Sequence, residues 1–184
     1  MAIGCTQNLP MATVGHRAES AVLSVVAEDF RRFLAGWGFA AFRGMSEQAD
    51  RLKERTHAFF VRVITLCEAL PDRPAPRSIA DQLLASAGSV DSNYRAACRA
   101  RSKREFIAKL GIVIEESDES AGWLRALQSA NLADPVELAG LLKEADELTR
   151  IFVASRKTAE MNLEREERAW QAQKRAAKTP RRAG

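Results

Sequence analysis

Cysteine and histidine are scarce in this chain, and their spacing argues against the common metal and disulfide sites. The 184 residues hold three cysteines, Cys5, Cys67 and Cys98, which form no CxxC pair, so neither a disulfide framework nor a zinc site is predicted. The two histidines, His16 and His57, are too few and too far apart to predict a histidine-based metal site. We therefore expect no cofactor and no metal, and we expect reduced thiols in the cytoplasm.

Long apolar runs and catalytic signature motifs are missing as well. No apolar stretch approaches the roughly 20 residues that a helix needs to cross a bilayer, so no membrane association is expected. No P-loop, GxGxxG or GxSxG motif occurs, and no cysteine–histidine pairing predicts a nucleophile. The sequence therefore predicts a protein that is not an enzyme.

Proline, glycine and tyrosine are also few, at 6, 10 and 1 residues, and most of the chain has the periodicity of helices. Four segments, at about 46–70, 78–100, 102–131 and 134–170, repeat apolar or small residues every three or four positions. Because short connections join these segments, we predict an all-α protein, an antiparallel up-down-up-down four-helix bundle. The predicted core stripes are Leu52, Thr56, Phe59, Val63, Leu66 and Leu70; Ile79, Leu83, Ala87, Val90, Tyr94 and Ala97; Phe106, Leu110, Val113, Ser117, Ser120, Leu124 and Leu127; and Leu138, Leu141, Ala145, Leu148, Phe152 and Ser155.

The first connection is predicted from its prolines. Pro71, Pro74 and Pro76 cannot continue a helix, so the first helix is expected to end before them. Ser78 follows them and is expected to be the N-cap of the second helix.

The later boundaries are predicted from capping residues. Ser102 and Glu105 have the spacing of a capping box, in which each side chain accepts a bond from a backbone N–H of the other's turn. Asn131 is expected to end the third helix. Asp134 followed by Pro135 predicts the start of the fourth, as N-cap and first helical residue.

The net charge of +4 is unevenly distributed. The tail, residues 174–184, carries five positive charges and no acid: Lys174, Arg175, Lys178, Arg181 and Arg182. Residues 1–44 carry one excess positive charge, which leaves −2 for residues 45–173. The tail is expected to be a solvated, disordered terminus. Alternatively, several tails in an oligomer could bind RNA or DNA through avidity.

A second basic segment lies within the predicted bundle. Its cations are candidate contacts to nucleic-acid phosphates: Arg95, Arg99, Arg101, Lys103, Arg104 and Lys109. The alternative is an interhelical ion-pair network in which they face the acids of the next helix, Glu115, Glu116, Asp118 and Glu119. Asp91 is expected to pair with Arg95 four residues later on the same helix.

The first 44 residues differ from the rest. Gly36, Gly38 and Gly44 interrupt a short helix-compatible pattern, and the segment that begins at Met45 has the character of a natural protein start. We expect either that Met45 is the native initiator or that residues 1–44 form an amphipathic accessory helix. The predicted domains are an extension over 1–44, a bundle over 45–160, and a charged helix extension with a basic tail over 161–184.

Residues 82–127 hold uncommon residues in a fixed order. They are Gln82-Leu83, Ser89-Val90, Asn93-Tyr94-Arg95-Ala96, Arg99, Arg101-Ser102, Phe106, Lys109-Leu110, Glu115-Glu116-x-Asp118-Glu119 and Trp123-Leu124. This pattern resembles the bacterial four-helix bundle proteins named after 23S rRNA intervening sequences, and the helical layout extends the resemblance over 46–160. Two positions depart from the family pattern. Asp91-Ser92 stands where members have Gly-Ala, and Ala85 stands near a commonly basic position.

The resemblance implies a left-handed four-helix bundle that forms homo-oligomers, which are pentameric rings in family members, and it implies no known activity for most of them. One branch comprises accessory proteins of diversity-generating retroelements, which bind nucleic acid and partner a reverse transcriptase. That branch is similar in fold, and fold alone does not carry function. We expect an oligomeric binding or scaffold protein with RNA or DNA as ligand and a reverse transcriptase as a candidate partner. The alternative is a protein–protein adaptor that binds no nucleic acid.

The signature residues themselves are expected to be structural. They are Gln82, Asn93, Tyr94, Ser102, Phe106, Glu115, Glu116, Glu119 and Trp123. Asn93 lies close to the core stripe, where a buried amide fixes the register between helices; the alternative is a ligand contact. Gly88 is expected to allow two helices to approach closely.

Overall fold

The structure, a computed structural model, describes residues 42–178. Four helices account for most of this range: α1 (Phe42–Glu68), α2 (Pro74–Ala97), α3 (Lys103–Ser129) and α4 (Pro135–Lys178). No strand occurs within residues 42–178, so the prediction of a helical protein with four helices is confirmed for that part of the chain. The helix predicted before Met45 and the tail cations Arg181 and Arg182 lie outside the described residues.

One stripe of each helix lines the core, as the sequence periodicity predicts. Of the predicted core residues, only Leu52, Leu70 and Ile79 are partly rather than fully buried. The largest fully buried side chains are Phe59, Val63, Leu83, Val90, Leu110, Leu124, Leu127, Leu138, Leu141, Leu148 and Phe152. Burial of these aliphatic and aromatic groups is the main favourable contribution to folding.

The start of α2 is where the sequence prediction was wrong. Arg73 is the N-cap, with extended backbone (φ −139°, ψ 159°), and Pro74 is the first helical residue, so the helix begins four residues before the predicted Ser78. Proline lacks the N–H that would have no partner in the first turn, and its fixed φ suits that position. The prolines that separate α1 from α2 therefore also open α2.

Both ends of α3 follow the capping prediction, with one difference. The Ser102 hydroxyl accepts a bond from the Glu105 N–H at 3.1 Å. The Glu105 carboxylate, however, accepts from the Arg101 N–H at 2.9 Å rather than from Ser102, and this bond lowers the pKa of Glu105. At the other end Asn131 has φ 51°, the left-handed conformation that stops the helix.

The start of α4 is also as predicted. Asp134 Oδ1 accepts bonds from the backbone N–H groups of Val136 and Glu137, at 3.0 and 2.9 Å, with Pro135 as the first helical residue. The helix runs on to Lys178, well beyond the buried core, whose last member in α4 is Ala159. The segment after Ala159 is therefore a helical extension of the bundle.

Contacts between α1 and α2 run in opposite residue order along the two helices. Thr56 Oγ1 donates to Asp91 Oδ1 at 2.9 Å, whereas the later Cys67 Sγ lies 4.0 Å from the earlier Ala80 carbonyl. Between these two points, a Cβ built on Gly88 would lie 3.2 Å from the edge of the Phe60 ring. Gly88 thus permits the close approach that its position in the sequence predicts.

The α3–α4 pair has the same opposite order. Ser117 Oγ lies 2.7 Å from Thr149 Oγ1, and the earlier Lys103 forms an ion pair with the later Glu166. The start of α3 and the extension of α4 consequently lie side by side. This arrangement positions the charged residues discussed below.

Ion pairs between α1 and α4 close the fourth side of the bundle. Arg55 Nε donates to Glu144 Oε1 at 2.5 Å, and Arg55 also pairs with Glu147. The bond to Glu144 is the main reason that the pKa of Arg55 is raised. About two helical turns away, Arg62 pairs with Glu137 at 3.0 Å. The sequence analysis did not predict these pairs, because their partners are about 75–90 residues apart and no local spacing links them.

Candidate nucleic-acid interface

The cations of the segment 95–109 do not contact the acids that the sequence analysis assigned to them. Among residues 42–178, Lys103 pairs with Glu166, and Arg104 Nη2 pairs with Glu167 at 2.7 Å. Within this chain, these cations therefore do not form the expected network with the acidic run 115–119. That run begins 12 residues after Lys103, which is about 18 Å along the helix, whereas α4 lies directly beside the start of α3.

Two other cations of this segment pair locally. Arg95 Nε lies 3.1 Å from Asp91 Oδ1, which is the i,i+4 pair that the sequence predicts. Arg101 Nε is 3.6 Å from Glu105 on the exposed start of α3, and 91% of the Arg101 side chain is exposed. The Arg95–Asp91 pair is partly buried, whereas the exposed Arg101–Glu105 pair contributes at most about 1 kcal/mol.

The predicted structural residues divide into core and surface positions. Tyr94 and Phe106 are buried. The Tyr94 ring centroid is 5.3 Å from that of Phe152, and burial raises the pKa of Tyr94. Gln82, Glu115 and Glu119 are exposed, and Glu116 and Trp123 are half-buried.

Asn93 does not fix the register between helices, contrary to expectation. Its Nδ2 donates to the Ser89 carbonyl at 3.1 Å and to Ser89 Oγ at 3.0 Å, both within α2. A bond inside one helix cannot determine how that helix aligns with another. In the core, a hydrogen bond between hydroxyl groups links α3 to α2: Ser120 Oγ donates to Ser86 Oγ at 2.9 Å.

The two predicted basic segments meet at one end of the molecule. We call this the basic end: the connection 98–102, Lys103 and Arg104 at the start of α3, and α4 from Glu166 to Lys178. The ion pairs of Lys103 and Arg104 fix α4 against α3 at this point, and only 11% of the Lys103 side chain is exposed. Arg99, on the connection, is exposed and makes no ion pair with any described residue. Lys174 and Arg175 lie on α4 about two turns beyond Glu166.

Trp170 is a feature of the basic end that the sequence analysis missed. It lies four residues after Glu166 on α4, is 60% exposed, and has the Lys174 ammonium 4.8 Å from its ring centroid. An exposed indole is uncommon on a surface so rich in charge. The available signal was a lone tryptophan inside a run of Glu, Arg, Gln and Lys.

A small polar cluster lies between α1 and α2. Asp91 accepts from Thr56 and Arg95, and its Oδ2 is 3.4 Å from Nδ1 of the exposed His57. Glu54 precedes His57 by three residues, a spacing that occurs in carboxylate-bridged di-metal bundles. Within residues 42–178, however, no three such ligands come together.

Within residues 42–178, none of the helices combines the length and apolar character that crossing a membrane requires.

The motif order, the four helices and their short connections agree with one known family. The family model described as 23S rRNA-intervening sequence protein matches residues 50–154. The chain belongs to this family. A search of curated proteins found no match.

One solved structure supports the same assignment. A crystal structure described as a protein with unknown function from the S23 ribosomal protein family of Bacteroides thetaiotaomicron VPI-5482 is similar to this chain, with a TM-score of 0.55 and 25% identity. The likeness covers 59% of this chain and 97% of that one. The 23S rRNA-intervening sequence fold thus accounts for the bundle. The part of the basic end that belongs to α4, from Glu166 to Lys178, lies outside the matched family segment.

Proposed function

We propose that this protein is a non-enzymatic four-helix bundle that binds RNA or DNA through its basic end. The proposal is carried by the convergence of two basic segments that are far apart in sequence, Arg99–Arg101 and Lys174–Lys178. Cations grouped on one surface attract the phosphate backbone, and the counterions that they displace add to affinity. Glu166 and Glu167, the nearest acids of α4, are engaged by Lys103 and Arg104, which reduces their repulsion of a polyanion.

We further propose an antiparallel up-down-up-down bundle that forms a ring-like homo-oligomer in the cytoplasm. The opposite residue order of the contacts between neighbouring helices supports the antiparallel arrangement. Val61 and Ile64 on α1, three residues apart on one face and 46% and 37% exposed, support an interface with another copy. Pentamers follow from the family resemblance.

Native mass spectrometry of the full chain tests the assembly. We expect a species of five times the 20.3 kDa chain mass, which is the number of copies that the family resemblance implies. Burial of the exposed apolar pair against another copy would stabilise it. Val61→Lys with Ile64→Lys should reduce that species to monomer. A wild-type protein that is monomeric at micromolar concentration would contradict the proposal.

Fluorescence anisotropy with labelled RNA and DNA tests the binding. In the full chain, replacing the five tail cations (Lys174, Arg175, Lys178, Arg181 and Arg182) with Gln should weaken binding at 50 mM salt at least about tenfold, and it should reduce the slope of log K against log salt by up to about 3.5 on a single strand. Exchanging Lys for Arg and Arg for Lys at the same positions keeps the charge and should preserve binding. If the wild-type chain binds neither nucleic acid at 50 mM salt, the proposal fails.

The same pair on α1 favours a second candidate function, that of a protein–protein adaptor. Exposed Val61 and Ile64 could bind a different protein rather than another copy. In that case the basic end would only keep the assembly in solution. Loss of partner capture by the Val61→Lys, Ile64→Lys protein, with nucleic-acid binding absent from the wild type, would favour the adaptor.

A further inference from the structure

We propose that Trp170 and Lys174 form a stacking site for the unpaired bases of a single-stranded nucleic acid. This inference rests on the proposed function and makes it more specific, because it names the strand state of the ligand and the residue that recognises it. Two observations carry it: an indole that is 60% exposed, and the Lys174 ammonium that lies 4.8 Å from the centroid of its ring.

The position of Trp170 follows from the helix geometry. Glu166, Trp170 and Lys174 are spaced by four residues, so they lie on one face of α4. Glu166 contacts Lys103 at the start of α3, and residue numbers fall along α3 as they rise along α4. Trp170 therefore lies one turn, about 6 Å, beyond the residue of α4 that pairs with Lys103, on the same face of α4 and at the end where the connection 98–102 leaves the bundle.

The charges around the indole suit a nucleotide. Lys174 lies 4.8 Å from the ring centroid, and an ammonium held there can contact the phosphate of a base that stacks on the ring. The two acids one turn before Trp170, Glu166 and Glu167, are paired with Lys103 and Arg104. The exposed pair of Arg168 with Glu164, at 3.0 Å, adds no net charge. A stacked base would consequently meet a cation and not an acid.

Stacking on Trp170 requires a single-stranded ligand, because it needs a base whose face is not covered by neighbouring bases. In a duplex each internal base already has a base above and below, so neither of its faces is open to an indole. In a single strand the faces are open, and stacking on an aromatic side chain tolerates any base. The cations of the basic end contribute to binding of both forms, whereas Trp170 should contribute only to the single strand.

Anisotropy on the full chain, with a single strand and a duplex of the same sequence in both RNA and DNA form, tests this site. Trp170→Ala should weaken single-strand binding about 5- to 150-fold, which is the range for one base stacked on an aromatic side chain, and duplex binding less than about twofold. Trp170→Phe should retain most of the single-strand affinity. The salt slope should not change, because no cation is removed, whereas Lys174→Gln should reduce it by about 0.7.

The fluorescence of Trp170 gives a second test, because nucleic acid would not quench its emission if the residue had only a structural role. In a Trp37→Phe, Trp123→Phe protein, Trp170 is the remaining tryptophan of the three, and its emission should be quenched by the single strand and not by the duplex. If the wild type binds nucleic acid but Trp170→Ala binds single strands normally, this inference fails while the proposed function stands. If the wild type binds nothing, the proposed function fails first. Unchanged helicity of each variant by circular dichroism confirms that folding is intact.

Discussion

Replacing Phe152 with Ala is expected to lower the free energy of unfolding by about 3–5 kcal/mol. Phe152 is fully buried in α4, and its ring is 5.3 Å from that of Tyr94 on α2. Truncation removes the aromatic contact and leaves a cavity where helices from opposite corners of the bundle meet. Because a domain of this size is stable by about 5–15 kcal/mol, the change should cost a large part of the total. Urea denaturation followed by circular dichroism measures it.

The adjacent Val153 provides a matched control. Its side chain is 47% exposed, so Val153→Ala removes apolar atoms from the same turn of α4 without opening a cavity, and the expected change is within about 0.5 kcal/mol. Equal losses from the two substitutions would contradict the assignment of Phe152 to the core. They would indicate that this turn of α4 is stabilised in another way, for example by contacts between copies.

The core could be predicted from the sequence because its signal is local and repeated. Positions such as Leu110, Val113 and Leu124 differ by three, four or seven residues, or sums of these, and any rotation of α3 that buries one buries the others. The caps at Ser102 and Asp134 were predictable for the same reason, because each depends on atoms two to four residues away. Pro74 shows the limit of such rules: proline both ends helices and opens them, and the local sequence did not decide which.

The basic end could be predicted only in part, because its decisive contacts join distant parts of the chain. The cations of both segments were visible as composition, but which acids they face depends on how far α4 extends and how it lies against α3. The acids from Glu115 to Glu119 were expected as partners because antiparallel packing would place their helix beside the preceding one, yet the observed partners of Lys103 and Arg104 are Glu166 and Glu167. Convergence of two basic segments is a property of the bundle's topology, and no window of sequence contains it.

Reversing the charges of Arg99 and Arg101 is expected to weaken nucleic-acid binding at 50 mM salt at least about tenfold, because two phosphate contacts are replaced by repulsion. The slope of log K against log salt should fall by about 1.4 on a single strand. Arg99 makes no ion pair among the described residues, and that of Arg101 with Glu105, at 3.6 Å, is exposed, so Arg99→Glu with Arg101→Glu should alter the unfolding free energy by less than about 1 kcal/mol. Anisotropy titrations at several salt concentrations measure both quantities.

The control must change the net charge equally at a distance from the basic end. Arg125 and Lys143 serve this purpose: both are exposed, and they lie toward the other end of the bundle, where α3 ends and α4 begins. If position matters, Arg125→Glu with Lys143→Glu should leave the affinity within about threefold, because charges more than a Debye length, about 10 Å at 0.1 M salt, from the ligand are largely screened. Equal losses from the two double variants would mean that the ligand responds to the charge of the whole molecule, and binding through a defined basic end would then be wrong.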